Sequence, residues 1–413
     1  MGHANDHDAL QIDHFLPARR SLRLAVVTET WPPEINGVAT TMARLVTGLQ
    51  ERQHAVQLVR PRQAVDGDAA GGQGLREVLV RGLPIPRYPH LRMGLPARRP
   101  LQQLWQRERP DAVHIATEGP LGFSALQAAL RLRLPVTSDF RTNFHAYSQH
   151  YGVGWLRKPV LAYLRQFHNR CAVTMVPTQA LARELQQAGF QRVQVLGRGV
   201  DTLQFSPTRR SAALRAQWGV ADHDLVVCCV GRLAPEKNLG LVLDTYEAIV
   251  RHHPRTRLLL VGDGPLRAEL QQRCPSALLA GQRRGEDLAA HYASADLFLF
   301  ASQTETFGNV TPEAMASGLP VVAFAHAGAA QLIEPGVQGE LLACDDPAGF
   351  IAAGLALAAD APRRARLGQA ARMRTLQQDW RGIVAQFEQV VLEAMGAQPL
   401  SWPAALTATS AAG

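Results

Sequence analysis

Short apolar runs alternate with amphipathic segments of helix length along almost the whole chain, and this alternation limits the fold more than any other feature. The runs are rich in Val, Leu and Phe and have the length of buried strands. They lie at residues 22–28, 55–61, 111–117, 134–140, 172–178, 225–233, 256–265, 276–281, 296–302 and 319–324. Strands that alternate with helices form mostly parallel sheets with helices on both faces. The sequence therefore predicts an α/β fold built from doubly wound sheets.

The chain has 413 residues, more than one ordinary hydrophobic core accommodates, so we expect two domains. The first series of strands predicts a domain over 22–204, and the second series a domain over 205–376, with a ligand cleft between them. Residues 377–396 have apolar side chains at three- and four-residue spacing and predict an amphipathic helix that packs back on the domains. We expect residues 1–21 and 397–413 to be loosely ordered.

Composition favours a soluble globular protein, with 46% hydrophobic and 19% charged residues. The five cysteines are scattered and do not have metal-ligand spacing; Cys228 and Cys229 lie inside an apolar run, as small buried side chains do. No stretch contains eighteen uninterrupted apolar residues, and the first residues lack the apolar core of a signal peptide. We therefore expect a cytoplasmic protein.

Positive charge is concentrated in the first half. Residues 1–200 contain 25 Lys and Arg against 14 Asp and Glu, whereas the remainder contains 18 against 21. This asymmetry favours an anionic partner, either a phosphate-bearing substrate or an anionic membrane surface, with a solvated Arg-rich face as the alternative. Nucleic acid is not expected, since no nucleic-acid-binding motif accompanies the charge. A long loop follows the second strand, and its part at 87–110 mixes Arg with Leu, Met and Trp as interfacial membrane segments do.

Two glutamates, Glu305 and Glu313, stand eight positions apart after the apolar run 296–302. Gly308 and Asn309 interrupt the run, and Pro312 suits the first turn of a helix. The order strand, turn, helix places both carboxylates at the carboxyl end of a strand, where ligands bind in open α/β sheets. A carboxylate there suits the hydroxyls of a sugar or a ribose, while amides at the helix start suit an anion. The alternative is a helix cap beside a solvated glutamate.

Two cations follow another strand of the second domain. Arg232 and Lys237 lie five residues apart across a turn that contains Pro235. An arginine fork and a lysine point charge suit a diphosphate and stabilise it as a leaving group without a metal. Gly262, in the turn VGDGP, follows the next strand, and the stretch 281–286 after the strand beyond it is a place for a nucleotide base. The alternative for the two cations is a pair of surface charges beside a turn.

The loop at 138–152 is unusually polar and aromatic for a connecting segment and includes Arg141 and His145. Either side chain could reach a sugar hydroxyl or a phosphate across the cleft. The chain contains no P-loop, no G-x-S-x-G and no H-E-x-x-H. The first strand is followed by TETWPPEINGV rather than G-x-G-x-x-G, which argues against a nicotinamide site.

These motifs, in this order, resemble the retaining GT-B glycosyltransferases of family 4, over residues 22–395. The E-x7-E element at Glu305 and Glu313 is the most specific part, and it is supported by GRLAPEKN at 231–238, VGDGP at 261–265 and GRGVD at 197–201. Among members, the chain is similar to bacterial α-mannosyl- and glucosyltransferases and to sulfolipid-synthase-like enzymes. The resemblance implies a GT-B fold, in which two Rossmann-like domains face each other across a cleft.

The resemblance also implies roles for the matching positions. Glu313 would bind the donor ribose and Glu305 would lie near the donor sugar. Arg232 and Lys237 would hold the diphosphate, which Gly37 would let the first-domain loop approach. The amides that would hold sugar or phosphate oxygens are those of Phe307, Gly308, Asn309 and Val310.

One position departs from the family pattern, because Arg141 stands where relatives usually have His, and His145 follows four residues later. Either residue is a candidate for contact with the sugar.

The expected activity is transfer of a hexose, mannose or glucose, from a nucleotide-diphosphate sugar to a lipid or glycan hydroxyl with retention of configuration. We expect no cofactor and no tightly bound metal, and a location in the cytoplasm or at the inner face of the membrane. The alternatives are a sugar-nucleotide epimerase on the same fold and a sugar-nucleotide-binding or membrane-surface protein that lacks catalysis. A phosphorylase would need a pyridoxal-phosphate lysine, and of the two lysines, Lys158 and Lys237, the second is assigned to the diphosphate.

Overall fold

A computed structural model describes residues 21–34, 36–63, 66, 74–85, 88–141 and 157–396. The two ends that were expected to be loosely ordered lie outside this part of the chain, apart from Ser21. His145 and the rest of the 142–156 loop lie outside it as well.

The first domain is built around a parallel sheet. Its elements are β1 (Arg23–Val27), α1 (Gly37–Glu51), β2 (Ala55–Pro61), β3 (Leu75–Val80), β4 (Gly82–Ile85), β5 (Tyr88–Gly94), α2 (Arg98–Arg107), β6 (Ala112–Ile115), α3 (Pro120–Arg131), β7 (Val136–Asp139), α4 (Arg157–His168), β8 (Val173–Val176), α5 (Gln179–Gln187) and β9 (Val193–Val195). Seven strands form the sheet in the order β3-β2-β1-β6-β7-β8-β9, while β4 and β5 pair separately as an antiparallel hairpin. The order reverses beside β1, so the switch point of this sheet lies between the carboxyl ends of β1 and β6.

The second domain repeats this plan. Its elements are α6 (Ala212–Gln217), β10 (Val226–Val230), α7 (Leu239–His252), β11 (Arg257–Val261), α8 (Arg267–Arg273), β12 (Leu278–Gly281), α9 (Gly285–Ala293), β13 (Leu297–Phe300), α10 (Val310–Ala316), β14 (Val321–Phe324), α11 (Ala327–Leu332), β15 (Gly339–Leu342), α12 (Pro347–Ala359) and α13 (Ala361–Leu376). The parallel sheet has the order β12-β11-β10-β13-β14-β15, with its switch point between β10 and β13. The predicted α/β fold with two doubly wound sheets is confirmed.

Apolar residues explain why these segments become central strands. Strand β10 reads VVCCV and β13 reads LFLF, and every residue of both strands is buried. Strands covered by helices on both faces need such continuous apolar runs. Each sheet accordingly has a hydrophobic cluster on either face.

The chain crosses between the domains twice, and the two crossings touch each other. Val200 donates its amide to the carbonyl of Gln378 at 2.9 Å, and Trp380 packs against Gly199. After the second crossing, α14 (Trp380–Gly396) buries Val384, Phe387 and further apolar residues against α1 and β1 of the first domain. The last helix is thus part of the first domain's core.

The segment expected to be a long loop contains regular structure. Strand β3, the β4–β5 hairpin and helix α2 all lie between the second strand and β6. Helix α2 directs Leu101 and Trp105 inward, and the Trp105 indole, fully buried, donates to Gln57 at 2.8 Å. These two side chains are therefore not available for insertion into a membrane. This contradicts the part of the membrane hypothesis for residues 87–110 that relied on Leu and Trp.

Candidate active site

The loop between β13 and α10 carries both glutamates of the E-x7-E element. Glu305 lies in the loop and Glu313 in the first turn of α10, which begins after Asn309. Gly308 has a φ of +83°, and a Cβ there would meet Glu305 Cγ and the Phe300 ring, each at 3.4 Å. Glycine is thus needed where the loop turns from the strand into the helix. The Phe307 carbonyl accepts the amide of Gly328 at 2.8 Å and so fixes the loop to α11.

Glu313 is partly buried and accepts a hydrogen bond from the neighbouring helix α9. The hydroxyl of Tyr292, which is fully buried in α9, donates to Glu313 Oε2 at 3.0 Å. Burial raises the pKa of Glu313 to about 7, against the opposing effects of the Tyr292 hydrogen bond and the positive charge of Arg44. The carboxyl therefore changes charge near neutral pH, an unusual property for a glutamate and one that is common at functional sites.

Lys237 and Glu305 form an ion pair, although they belong to different strand ends. Lys237 lies in a short helical turn, Pro235–Lys237, after β10, and its ammonium is also 6.0 Å from the centre of the Phe300 ring. Arg232 pairs with Glu236 of the same turn. The structure thus brings Lys237 and Glu305 together, and it places Arg232 beside them at the same edge of the sheet.

Gly262 joins this edge through its backbone. Its φ is +141°, and a Cβ at this position would overlap the carbonyl of Gly231. The amide of Gly231 in turn donates to the carbonyl of Val261 at 3.0 Å. Glycine at 262 allows the carboxyl ends of strands β10 and β11 to approach each other. A direct contact between Gly262 and a donor stays a prediction.

Gly37 marks the place where the first domain meets this edge. It is the first residue of α1, which is capped by the Asn36 side chain accepting the Ala39 amide at 2.8 Å. A Cβ on Gly37 would lie 3.6 Å from Asn309 Nδ2 in the second domain. The loop after β1 and the loop after β13 therefore face each other across the cleft; the approach of the Gly37 loop to a donor diphosphate stays a prediction.

Arg141 lies at the carboxyl end of β7 within a buried charge cluster. Its guanidinium pairs with Asp139, which also lies 3.5 Å from His114 Nε2. Burial alone would raise the pKa of Asp139, but Arg141, His114 and Arg198 together hold it well below its usual range. Burial and the nearby Arg141 lower the pKa of Arg198 to about 9, with Asp139 opposing. Arg141 is thus engaged within its own domain, and its contact with a sugar stays a prediction, as does that of His145 outside the described residues.

A second group of polar residues, not singled out from the sequence, lies at the switch point of the first sheet. Glu29 follows β1 and accepts the Leu121 amide of α3 at 2.8 Å; burial raises its pKa to about 7. Glu118 follows β6, where its carboxylate lies 3.3 Å from the buried His168 and its carbonyl accepts from the Tyr163 hydroxyl at 2.5 Å. The sequence could have identified Glu29 and Glu118, because each of them directly follows a predicted strand. Within the described residues, no group of three His, Cys, Asp or Glu side chains is arranged to hold a metal.

Two facing doubly wound domains, with paired carboxylates and cations at one strand edge, define a GT-B type of glycosyltransferase. Family models agree: residues 35–204 match Glycosyltransferase Family 4 and residues 224–360 match Glycosyl transferases group 1. The chain belongs to this family. The predicted resemblance is therefore confirmed.

Relatives over most of the chain support this assignment. A GDP-mannose-dependent alpha-mannosyltransferase of Mycolicibacterium smegmatis is 34% identical over 87% of this chain and 94% of its own length. A protein of the same description from Mycobacterium tuberculosis is 34% identical over 78% and 84%. In fold, the chain resembles a sucrose-phosphate synthase from Thermosynechococcus elongatus, with a TM-score of 0.74 at 19% identity over 91% of this chain and 99% of that one. None of the helices in the described residues is long and apolar enough to cross a membrane.

Proposed function

We propose that this protein is a retaining α-hexosyltransferase that takes mannose from GDP-mannose and attaches it to a hydroxyl of a lipid or glycan. The observation that carries the proposal is the convergence of Lys237, Glu305 and Glu313 at the switch point of the second sheet. Two carboxylates suit sugar and ribose hydroxyls, and an ammonium suits a diphosphate. The choice of mannose and guanine rests on the names of the two mycobacterial relatives.

In this proposal the second domain binds the donor. Glu313 accepts hydrogen bonds from the ribose, and Arg232 and Lys237 bind the diphosphate. The amides of residues 307–310 at the start of α10 face sugar or phosphate oxygens. Because Lys237 is paired with Glu305, the donor diphosphate competes with that carboxylate for the ammonium.

The reaction breaks the bond between the sugar C1 and the diphosphate oxygen and forms a bond between C1 and the acceptor oxygen on the same face. The departing diphosphate takes the proton of the acceptor hydroxyl. Arg232 and Lys237 stabilise the negative charge that develops on the diphosphate, so that bond breaking is favoured. Closure of the cleft brings Gly37 and its loop to the same diphosphate.

The acceptor side belongs to the first domain, and its surface favours an anionic lipid layer. Arg98 and Arg99 are exposed at the start of α2, and the nearby hairpin exposes Leu83 at 52% and Met93 at 36%. Since Leu101 and Trp105 are buried, membrane binding in this proposal uses charge together with the hairpin residues. The protein would act at the inner face of the membrane.

A transfer assay tests the activity. The full chain is first screened by thermal shift against GDP-mannose, UDP-glucose and ADP-glucose, because a bound donor raises the apparent stability. It is then incubated with each radiolabelled donor and a lipid extract, and the anomeric configuration of the product is determined by NMR. We expect α-linked mannose in the lipid fraction with GDP-mannose. Donor binding without transfer or hydrolysis would favour the sugar-nucleotide-binding alternative, and β-linked product would contradict retention.

Membrane binding is tested separately by co-sedimentation with liposomes. Vesicles of neutral phosphatidylcholine are compared with vesicles that contain about a third phosphatidylglycerol, for the wild type and for the double variant Arg98→Gln, Arg99→Gln. We expect binding that grows with anionic lipid content and falls in the double variant and at high salt. Equal binding to both kinds of vesicle would contradict this part of the proposal.

A further inference from the structure

One face of α1 contacts the second domain at its start, a crossing between the domains in its middle and α14 of the first domain at its end. Gly37, Thr41, Arg44 and Gly48 follow each other at spacings of four, three and four residues, which places them on one stripe of the helix. Gly37 faces Asn309 across the cleft, as described above. At the other end, a Cβ on Gly48 would lie 2.5 Å from Val384 Cγ2 of α14, so the backbones are closely packed there. Arg44 lies between these two contacts.

Arg44 contacts the turn 201–204, which lies in the first of the two crossings between the domains. The guanidinium is 2.9 Å from Asp201 Oδ2 and 3.3 Å from Gln204 Oε1. Asp201 in turn accepts the amides of Leu203 and Gln204 through its other oxygen, at 3.2 and 2.9 Å. The position of Gln204 is thus fixed from two sides.

Gln204 continues the connection into the second domain. Its amide nitrogen donates to the carbonyl of Gly285 at 3.4 Å. Gly285 is the first residue of α9, and the same helix carries Tyr292, which donates to Glu313. A hydrogen-bonded path therefore runs from α1 of the first domain to the helix that positions Glu313.

Two residues of this path, Arg44 and Tyr292, also affect the charge of Glu313. The Tyr292 hydroxyl comes from α9 and the positive charge of Arg44 from α1, and both favour the ionised carboxylate. From α13, Arg372 is directed to the carbonyls of Ala316, Phe205 and Thr202. The thiols of Cys228 and Cys229 lie near Tyr292 and are held protonated by burial, which raises the pKa of each.

We propose that Arg44 is a positioning residue through which the first domain strengthens the binding of the nucleoside half of the donor. It acts through the turn 201–204 and α9 and does not touch the reacting atoms. This inference rests on the proposed function, in which Glu313 binds the donor ribose. It assigns to the first domain a part in binding the nucleoside half of the donor, in addition to binding the acceptor and to the approach of the Gly37 loop to the diphosphate.

The test compares Arg44→Gln with Arg52→Gln. Arg52 directly follows the last residue of the same helix, and its substitution removes the same charge, but Arg52 pairs with Glu388 of α14 inside the first domain. Dissociation constants for GDP-mannose are measured by calorimetry from pH 6 to 8, and kcat and KM are measured in the transfer assay. For Arg44→Gln we expect about a tenfold rise in the dissociation constant and in the donor KM, an upward shift of the pH midpoint of binding, and an unchanged acceptor KM. Arg52→Gln should leave the donor constants within about twofold of the wild type.

Two further variants keep the test decisive if Arg44→Gln folds poorly. Gln204→Ala removes the link to Gly285 without changing any charge, and it should weaken donor binding without moving the pH midpoint. Arg44→Lys retains a cation and should restore the midpoint. Equal donor constants in the wild type, Arg44→Gln and Gln204→Ala would overturn the inference while leaving the proposed function intact. A wild type that binds no nucleotide-diphosphate sugar would overturn the proposed function, and with it this inference.

Discussion

Lys237 and Glu305 form an ion pair that links the ends of two neighbouring strands, β10 and β13. Their side chains are 20% and 15% exposed, so water screens the pair only in part. The carboxylate lies where we propose that a donor phosphate approaches the ammonium. Donor binding and the Lys237–Glu305 pair are thus in competition.

This competition predicts opposite effects of two substitutions on nucleotide binding. Glu305→Gln removes the competing carboxylate, so the affinity for GDP should stay equal or rise a few-fold, while kcat should fall about 100-fold because the donor sugar loses a partner in the transition state. Lys237→Gln should weaken GDP binding at least about tenfold, since it removes a charged hydrogen-bond donor. Calorimetry with GDP and steady-state kinetics with GDP-mannose measure both effects. Loss of GDP binding in Glu305→Gln would contradict the competition.

The raised pKa of Glu313 predicts that donor affinity depends on pH near neutrality. A carboxylate accepts ribose hydroxyls better than a neutral carboxyl, and with a pKa of about 7 the ionised fraction falls as pH decreases from 8 to 6. The dissociation constant of GDP-mannose should therefore rise about tenfold over this range. Its diphosphate does not titrate there, so the change reports on the protein. Glu313→Gln should bind weakly and with a flat pH profile; a sloping profile in this variant would assign the titration to another group.

Ten of the thirteen strands in the two parallel sheets were predicted because their apolar content is local, whereas the edge strands β3, β9 and β15 were not. Runs such as VVCCV in β10 and LFLF in β13 identify central strands without any tertiary information. The placement of Lys237 and Glu305 at one edge of the second sheet followed from the rule that parallel strands end at the same edge, but their ion pair was not predicted. Strand β4 was missed because Gly82 and Pro84 give it the composition of a loop, which pairing with β5 overrides.

Contacts between distant parts of the chain could not be predicted in this way. Arg44 and Gln204 are 160 residues apart, and no local pattern connects them. The sequence placed Arg141 after a strand, but it did not indicate that its guanidinium turns to Asp139 two residues before it. For Trp105, the composition of its segment suggested a membrane surface, whereas its spacing from Leu101 on α2 places both side chains in the core.

Glu29 predicts a dependence of stability on pH in the first domain. Burial raises its folded-state pKa from 4.5 to about 7, against the lowering effect of the amides of Leu121, Gly122 and Gly94. The protonated form is therefore favoured by folding: its contribution is fully present below the unfolded-state pKa and is lost as pH rises through about 7. Glu29→Gln should remove part of the fall in the free energy of unfolding between pH 5 and pH 8.

Denaturation at several pH values measures this slope. The wild type, Glu29→Gln and Glu51→Gln are compared, the last of which neutralises an exposed carboxyl of the same domain. Glu313 contributes with the same sign in all three proteins, so it cancels in the comparison. Identical slopes for the wild type and Glu29→Gln would show that Glu29 ionises at its ordinary pKa in the folded protein.

Alanine substitutions at Gly262 and Gly219 distinguish the effect of steric crowding on stability from the effect of backbone conformation. Both have positive φ, +141° at Gly262 and +69° at Gly219, but a Cβ would overlap the Gly231 carbonyl at the first and meet nothing within 4 Å at the second. Gly219→Ala should cost about 1–2 kcal/mol through its left-handed conformation alone. Gly262→Ala has to separate the ends of β10 and β11 as well, so it should cost more and should also weaken GDP binding, because Arg232 and Lys237 follow β10. Urea denaturation and calorimetry with GDP give both quantities for each variant. Equal losses of stability, with GDP binding retained in both, would show that the approach of Gly231 to Gly262 is not needed for the donor site.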